Sequence, residues 1–512
     1  MDAKIKFLGG LANEITGSCY LLSINDGKKQ TKILIDSGLV QGHFKDSLDK
    51  NKEILRELKI GEIDSIVLTH SHIDHVGRLP FFVKNGFSGR IICTEMTANL
   101  IKPMLEDSAK IQLAEAFYLN RKSKKDEVEL KTDKSSLSRG NYDRKKQKVA
   151  GLDKNLVQPL YDLKDVIKTQ ELIKNDGYEY YKWIRLAQKI SVKFYPSGHV
   201  MGGAILVFRI SNRIKDYYLC FTGDLGRQDG IILPPPEFVL EPVDSLVIES
   251  TYGNRFHPSR EEEIKKMLQL VSKGFHEKRK IIIPSFAFER TQEIIYLLSY
   301  YMKEGIIPAF PIILDSPLGD KITKVFSEAW GMGMFLDQNK LNFNPFNPHC
   351  NPYLRIIGEQ KNSDLLVNSS GPYIVVAGSG MCDSGRVRGH LRANLGQENT
   401  SVFLVGYMAE NTLGALLKRS KIVHMNKQEI EVKAEITSFD SFSAHADLPF
   451  LLKYATKTFR KKSDYLRRVF IVHGELKGAE NLQNKLTDSL VAKNIEVSIP
   501  KINEEVLISK KK

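Results

Sequence analysis

The stretch "LTHSHIDHVGRLP" at residues 68–80 places His70, His72, Asp74 and His75 within six positions. The apolar run "SIVL" leads into it, so the cluster begins where a buried strand ends. In extended chain, residues two apart share a face, which lets His70 and His72 grip one ion. Where the chain then turns into a helix, Asp74 and His75 swing toward a second ion. Imidazole and carboxylate suit zinc, and a catalytic zinc keeps one position open for water. Two ions about 3.5–4 Å apart together activate a water and stabilise the oxygens of an in-line displacement.

Four side chains cannot complete two coordination spheres, so further ligands must come from elsewhere in the chain. His199 sits in the glycine-rich turn "PSGHVMGGA", Asp224 in "FTGDLGR" and His473 in "VFIVHGE". Each closes an apolar run. Taken singly, each reads as a core or turn residue. Taken as a set behind a complete His-x-His-x-Asp-His, they read as metal ligands.

The chain has 512 residues, 42% of them hydrophobic, enough for two or more cores. No apolar run approaches the roughly 18 residues of a membrane span, and no basic segment followed by an apolar one opens the chain. Cys19, Cys93, Cys220, Cys350 and Cys382 are scattered, with no CxxC pair, which fits a reducing compartment. A cytoplasmic protein with no membrane partner is the expectation. The net charge of +14 favours encounter with polyanions, nucleic acid among them.

Residues 1–100 read as strands broken by short turns, and a second strand-rich block follows the polar stretch 119–155. That stretch lacks an apolar period and reads as a solvated, partly helical insertion, its "RKSKK" and "DRKKQK" runs as exposed charge. After residue 254 the pattern alternates. The segment "SREEEIKKMLQLVSKGF" predicts a helix capped by Ser259, with Glu262 three residues on. "KIIIPSFAF" predicts a strand and "ERTQEIIYLLSYYM" a helix, and the alternation continues through "AFPIILDSP" and "YIVVAGSGMCDSGRVRGHLRANL". Alternation of this kind argues for a parallel α/β arrangement.

His-x-His-x-Asp-His, then a Gly-His turn, then the "TGDLG" aspartate resembles the metallo-β-lactamase superfamily. "TKILIDSG" at 31–38 resembles that superfamily's first motif, with Asp36 in the acidic position. The resemblance implies an αββα sandwich binding two zinc ions. His70, His72 and His199 would hold one and Asp74 and His75 the other, with Asp224 and a hydroxide bridging them. His473 would join the metal set, and Asp36 would support the site without ligating.

"VIESTYGN", "SFDSFSAHAD" and "VFIVHGE" supply Glu249, His445 and His473, and resemble motifs A, B and C of the β-CASP nucleases. The likeness covers nearly the whole chain outside a basic insertion around 119–180. It is greatest to the RNA-processing members, including the pre-mRNA 3′-end endonuclease and compact prokaryotic relatives. DNA-processing relatives usually carry valine at motif C, so His473 favours RNA. The implied organisation is a sandwich from 1–253, an inserted α/β β-CASP cap from 254–443, and a return to the sandwich over 444–512.

The expected activity is zinc-dependent cleavage within single-stranded RNA. Its catalytic residues would be Asp74, Asp36, Glu249 and His445. His445 would give a proton to the leaving oxygen while Glu249 orients it, with Asp447 as a weaker orienting candidate. Ser379 and Gly380 of "AGSGMCDSGR", with Ser443 and His445, would contact the RNA, and Arg386, Arg388 and Arg392 would line a groove or simply be solvated. One alternative is a 5′–3′ exoribonuclease of RNase J type. Motif B as "SFSAHAD" rather than an "SGH" form, and the short chain after His473, lean away from it. A non-catalytic RNA-binding scaffold is a second alternative, disfavoured because every ligand is present. A small-molecule esterase would need neither the cap nor motifs A to C. Homodimerisation is left open.

Overall fold

The computed structural model describes residues 2–129, 156–173, 177–212, 215–406, 408–426, 428–457, 467–490 and 495–509. Most of the polar stretch 119–155 lies outside them; its first residues continue the helix Glu95–Glu129. Two sheets face each other. The first runs in the order Glu505–Ser509, Asp2–Leu11, Glu14–Asn25, Gln30–Ile35, Ser65–Val67, Arg90–Ile92. The second runs Glu496–Ser498, Arg468–Val472, Ser245–Glu249, Tyr217–Phe221, Ala204–Ile210, Ile190–Pro196, Ile184–Ala187. Ile5, Phe7 and Ile35 of the first meet Phe194, Phe208 and Phe470 of the second in one buried layer, with the Phe7 and Phe470 rings 5.2 Å apart.

Helices cover both outer faces. Leu48, Ile54, Ile101 and Val166 bury the first sheet from helices Phe44–Glu57, Glu95–Glu129 and Leu163–Glu171. Leu451, Tyr454, Leu482 and Leu486 bury the second from Leu448–Lys457 and Leu476–Leu490. The result is the αββα sandwich expected from the sequence. Covering both faces is why central strands such as "SIV" and "SLVIE" are apolar without alternation.

A third sheet is wholly parallel, in the order Leu354–Ile356, Ile312–Asp315, Tyr373–Ala377, Lys280–Pro284, Thr400–Val405, Glu435–Phe439. Helix Arg260–His276 packs on it through Met267, Leu268 and Val271. Its cap is the predicted one, Ser259 Oγ accepting the Glu262 amide at 3.3 Å. The strand expected over "KIIIPSFAF" stops at Pro284, because the next residues turn sharply toward the sandwich. The two halves share a core in which Met96, Leu100 and Met201 touch the cluster of Phe288, Ile294 and Ile322. After the third sheet the chain returns to the second, where Arg468–Val472 lies parallel to Ser245–Glu249 with Glu249 paired to Val472. Among the described residues, no helix is long and apolar enough to cross a membrane.

Candidate metal centre

Strand ends deliver the site. Asp36 follows Gln30–Ile35, His70 lies just beyond Ser65–Val67, and Asp224 follows Tyr217–Phe221. Glu249 ends its strand, and register sets His473 beside it, one residue past Val472. His72 caps the short helix Ile73–Val76, whose first turn carries Asp74 and His75. His199 sits in a loop whose Gly198 has φ 64°, where a Cβ would lie 2.6 Å from the Pro234 carbonyl. That close approach explains the glycine before the histidine.

All seven predicted ligands converge. Ligand atoms of His70, His72, His199 and Asp224 lie within 4.8 Å of one another, and so do those of Asp74, His75 and His473. In the first group, His70 Nε2 and His72 Nδ1 are 3.0 Å apart, and His199 Nε2 is 3.3 Å from His72 Nδ1. Asp224 Oδ2 faces this group, 3.6 Å from His70 Nε2 and 3.5 Å from His199 Nε2. Its other oxygen faces the second group, with Oδ1 at 3.4 Å from both His75 Nε2 and His473 Nε2. Asp74 Oδ2 completes it, 3.8 Å from His473 and 4.0 Å from His75.

Supporting residues set which nitrogen points inward. Asp36 Oδ2 takes the Nδ1 hydrogen of His75 at 2.8 Å, and Asp36 also accepts the amide and hydroxyl of Thr69 at 2.8 Å each. Asp36 therefore lies outside both groups and turns His75 Nε2 toward Asp224. Ser18 Oγ plays the same part for His473 at 3.1 Å. Asp36 and His473 both hold positive φ, 56° and 49°, conformations that persist only where surroundings enforce them.

The donor set fits a divalent cation. Atoms bound about 2.0–2.1 Å from a tetrahedral ion stand roughly 3.3–3.4 Å apart, close to the spacings within the first group. His75 Nε2 and Asp224 Oδ1 are buried, have no hydrogen-bond partner among the described residues, and face each other at 3.4 Å. A cation shared between them, or in its absence a proton on the ring, would satisfy both. Burial holds the His70 and His199 imidazoles well below their usual value and brings His72 down to about 4, which favours their neutral form. Burial opposes charge on His75 too, but Asp224 and Asp36 lift it well above its usual value, and His473 and His75 in turn hold the Asp224 carboxyl well below the usual range against burial.

Sequence comparison places the chain among known proteins. A model of the metallo-β-lactamase superfamily matches residues 12–140, and a Beta-Casp domain model matches 291–417. A third, described as a Zn-dependent metallo-hydrolase RNA specificity domain, matches 429–500. The chain belongs to the β-CASP family of the metallo-β-lactamase superfamily. It is a metal-dependent hydrolase. Ribonuclease TTHA0252 of Thermus thermophilus is 29% identical, over 97% of this chain and 98% of its own length. The RNase J-like protein of Methanocaldococcus jannaschii is 26% identical over 92% of each chain. Transcription termination factor FttA of the same organism is 26% identical over 92% of this chain and 67% of its own.

The β-CASP motif A and B residues meet beside these two groups. His445 Nδ1 lies 3.3 Å from Glu249 Oε1, and the His445 ring centroid is 4.4 Å from that of His199. Burial lowers the His445 pKa, but Glu249, helped by Asp224 and Asp74, outweighs it and leaves a value of about 9. Glu249 is fixed by the amides of Leu225 at 2.7 Å and Thr251 at 3.1 Å. Ser443 Oγ accepts the His445 amide at 3.3 Å, and Arg260 holds the Ser443 carbonyl at 3.2 Å. Asp447 instead accepts the amides of His257 and Phe450, and among the described residues the carboxylate at hydrogen-bond distance from the His445 ring is that of Glu249.

Ser379 and Gly380 follow the cap strand Tyr373–Ala377. A Cβ on Gly380 would lie 2.8 Å from the Phe286 ring, two residues from Phe288, which packs on His72. Arg386 is neither groove lining nor solvated charge: it is committed to Asp315 and to the carbonyls of Ile357 and Gly358. Arg392 is exposed and Arg388 half-buried. The sequence did not reveal His257, whose Nε2 donates to the His445 carbonyl at 2.9 Å, nor Glu289, which reads there as an ordinary helix start. For His257, the one available signal is a histidine a few residues beyond motif A.

Proposed function

We propose that this β-CASP protein cleaves RNA phosphodiester bonds within the chain, using two zinc ions. His70, His72, His199 and Asp224 would hold one ion, and Asp74, His75, His473 and Asp224 the other. The observation that carries this is Asp224, whose two oxygens face two separate groups of inward-pointing nitrogens. Bound there, the ions would lower the pKa of water and neutralise charge on the phosphate. The remaining work belongs to side chains outside the two groups. His445 gives Nδ1–H to Glu249, so its Nε2 proton is the one available to the leaving oxygen. Glu249, locked by two amides, keeps that ring oriented and favours its charged form. Asp36 keeps the lone pair of His75 inward. Ser379, Gly380 and Ser443 bind the RNA backbone where cap and sandwich meet. RNA as substrate is supported by the match to an RNA specificity domain and by the likeness to Ribonuclease TTHA0252.

Likeness to an RNase J-like protein favours a second reading, degradation from a 5′ end. One assay separates them. Linear 5′-triphosphate, linear 5′-monophosphate and circular RNA are incubated with the protein, with Asp74→Ala as control. Cutting of the circle is the expected result. Degradation confined to the 5′-monophosphate form would replace it with the exonuclease, and RNA left intact in all three would remove the ribonuclease reading.

A further inference from the structure

Between the cap strand Lys280–Pro284 and the helix Arg290–Lys303 the chain makes a turn of unusual geometry. Glu289 has φ 67° and ψ −60°, and the Arg290 amide donates to the Phe288 carbonyl at 2.9 Å. That is a γ-turn of the positive-φ kind, rare and strained, and resisted by any residue with a Cβ. The side chain does not repay this locally, since it makes no capping hydrogen bond to its own helix. It crosses to the sandwich instead, where Oε2 accepts the Met201 amide at 2.9 Å, two residues past His199. Oε1 is buried with no partner among the described residues. The preceding Phe288 sets its ring edge-on to His72, with centroids 5.2 Å apart. One turn of the cap thus braces the loops of two histidines in the same ligand group.

A buried carboxyl in a strained turn costs stability twice, and glycine would remove both costs while giving up the bond to the buried Met201 amide. We propose that Glu289 is a positioning residue: its bond to Met201 fixes the His199 loop and, with Phe288 on His72, makes the first ligand group depend on the seating of the cap. This rests on the metal-dependent hydrolase reading above. Burial and the neighbouring Glu293 hold the Glu289 carboxyl well above its usual value, so the neutral acid is in place and glutamine is its near isostere.

The test compares full-length wild type, Glu289→Gly and Glu289→Gln. Glu289→Gly is expected to melt, metal-free, close to wild type, because relaxing the turn and removing the buried carboxyl offset the lost acceptor of the Met201 amide. Yet its kcat on RNA should fall about tenfold or more with KM little changed, and zinc should pass to a chromogenic chelator about tenfold faster. Glu289→Gln should restore both. Wild-type kcat and zinc release in Glu289→Gly would overturn the proposal. So would a loss that Glu289→Gln shares, or one accompanied by a lowered melting temperature. Zinc release is read without RNA, so faster release in Glu289→Gly supports the positioning role even if wild type cuts no RNA and the substrate reading falls.

Discussion

Two buried carboxylates at strand ends, Asp224 in the sandwich and Asp315 in the cap, are treated in opposite ways. Asp315 is surrounded by donors at contact distance: Arg386 at 2.7 Å, His390 at 2.7 Å and Ser363 at 2.6 Å. Burial alone would raise its pKa, but those three hydrogen bonds hold it below the usual carboxylate range. Asp224 has four histidine nitrogens around it, none nearer than 3.4 Å, and one oxygen without a hydrogen-bond partner among the described residues. The residue types are nearly the same. An acid saturated by donors holds a fold together, whereas an acid held apart from lone pairs is shaped to share a cation with them.

The comparison is most easily broken at its centre. Asp224→Ala should lower RNA cleavage by at least about 10³-fold and leave less than one ion per chain by metal analysis, because both groups lose a ligand. A variant with full metal content and altered melting alone would make Asp224 another Asp315. Next in size is His445→Ala, which removes the proposed proton donor but no member of the two metal groups. Turnover should fall about 10²–10⁴-fold while metal content stays at the wild-type level. Metal loss in that variant would move His445 into the coordination set and end its assignment as acid.

Asp315→Asn should do the reverse. It leaves Arg386 and His390 beside an uncharged partner inside the cap, for a loss of about 3–5 kcal/mol in urea unfolding. Metal content and turnover of the folded fraction should stay within about twofold of wild type. If Asp315→Asn releases metal, the two clusters are coupled and the contrast is false.

What the sequence displayed and what it concealed divide along the same line. The candidate ligands were legible because they lie at, or in the turn just past, the ends of apolar strands, and covering both sheet faces makes such strands easy to see. The Glu249–His445 pair was legible through its motifs, although 195 intervening positions carry a whole sheet. The residues that hold these groups in place were not. Ser18, Thr69, His257 and Glu289 act through one or two hydrogen bonds to a ring nitrogen, a carboxylate, a carbonyl or an amide far away in the chain. Such contacts impose no period and no spacing. Arg386 misled for the complementary reason: a basic residue after a glycine-rich turn has the same one-dimensional signature whether it meets a phosphate or a buried aspartate.

The smallest expected effect tests the charge on His445 directly. In metal-free protein its pKa of about 9 lies above the ordinary value near 6.5, because Glu249 favours the imidazolium over the opposing effect of burial. A group whose pKa rises on folding contributes fully below its unfolded value and loses that contribution as pH climbs through the folded one. Stability of the metal-free protein should therefore decline between about pH 6.5 and 9, by roughly 2 kcal/mol once screening at a partly accessible ring is allowed for. Glu249→Gln should flatten that decline, measured as urea midpoints at intervals across the range. Equal slopes in the two proteins would mean that Glu249 does not hold a proton on His445. Cations held in the neighbouring groups would oppose the imidazolium, so the raised pKa belongs to the metal-free protein and the titration is read there.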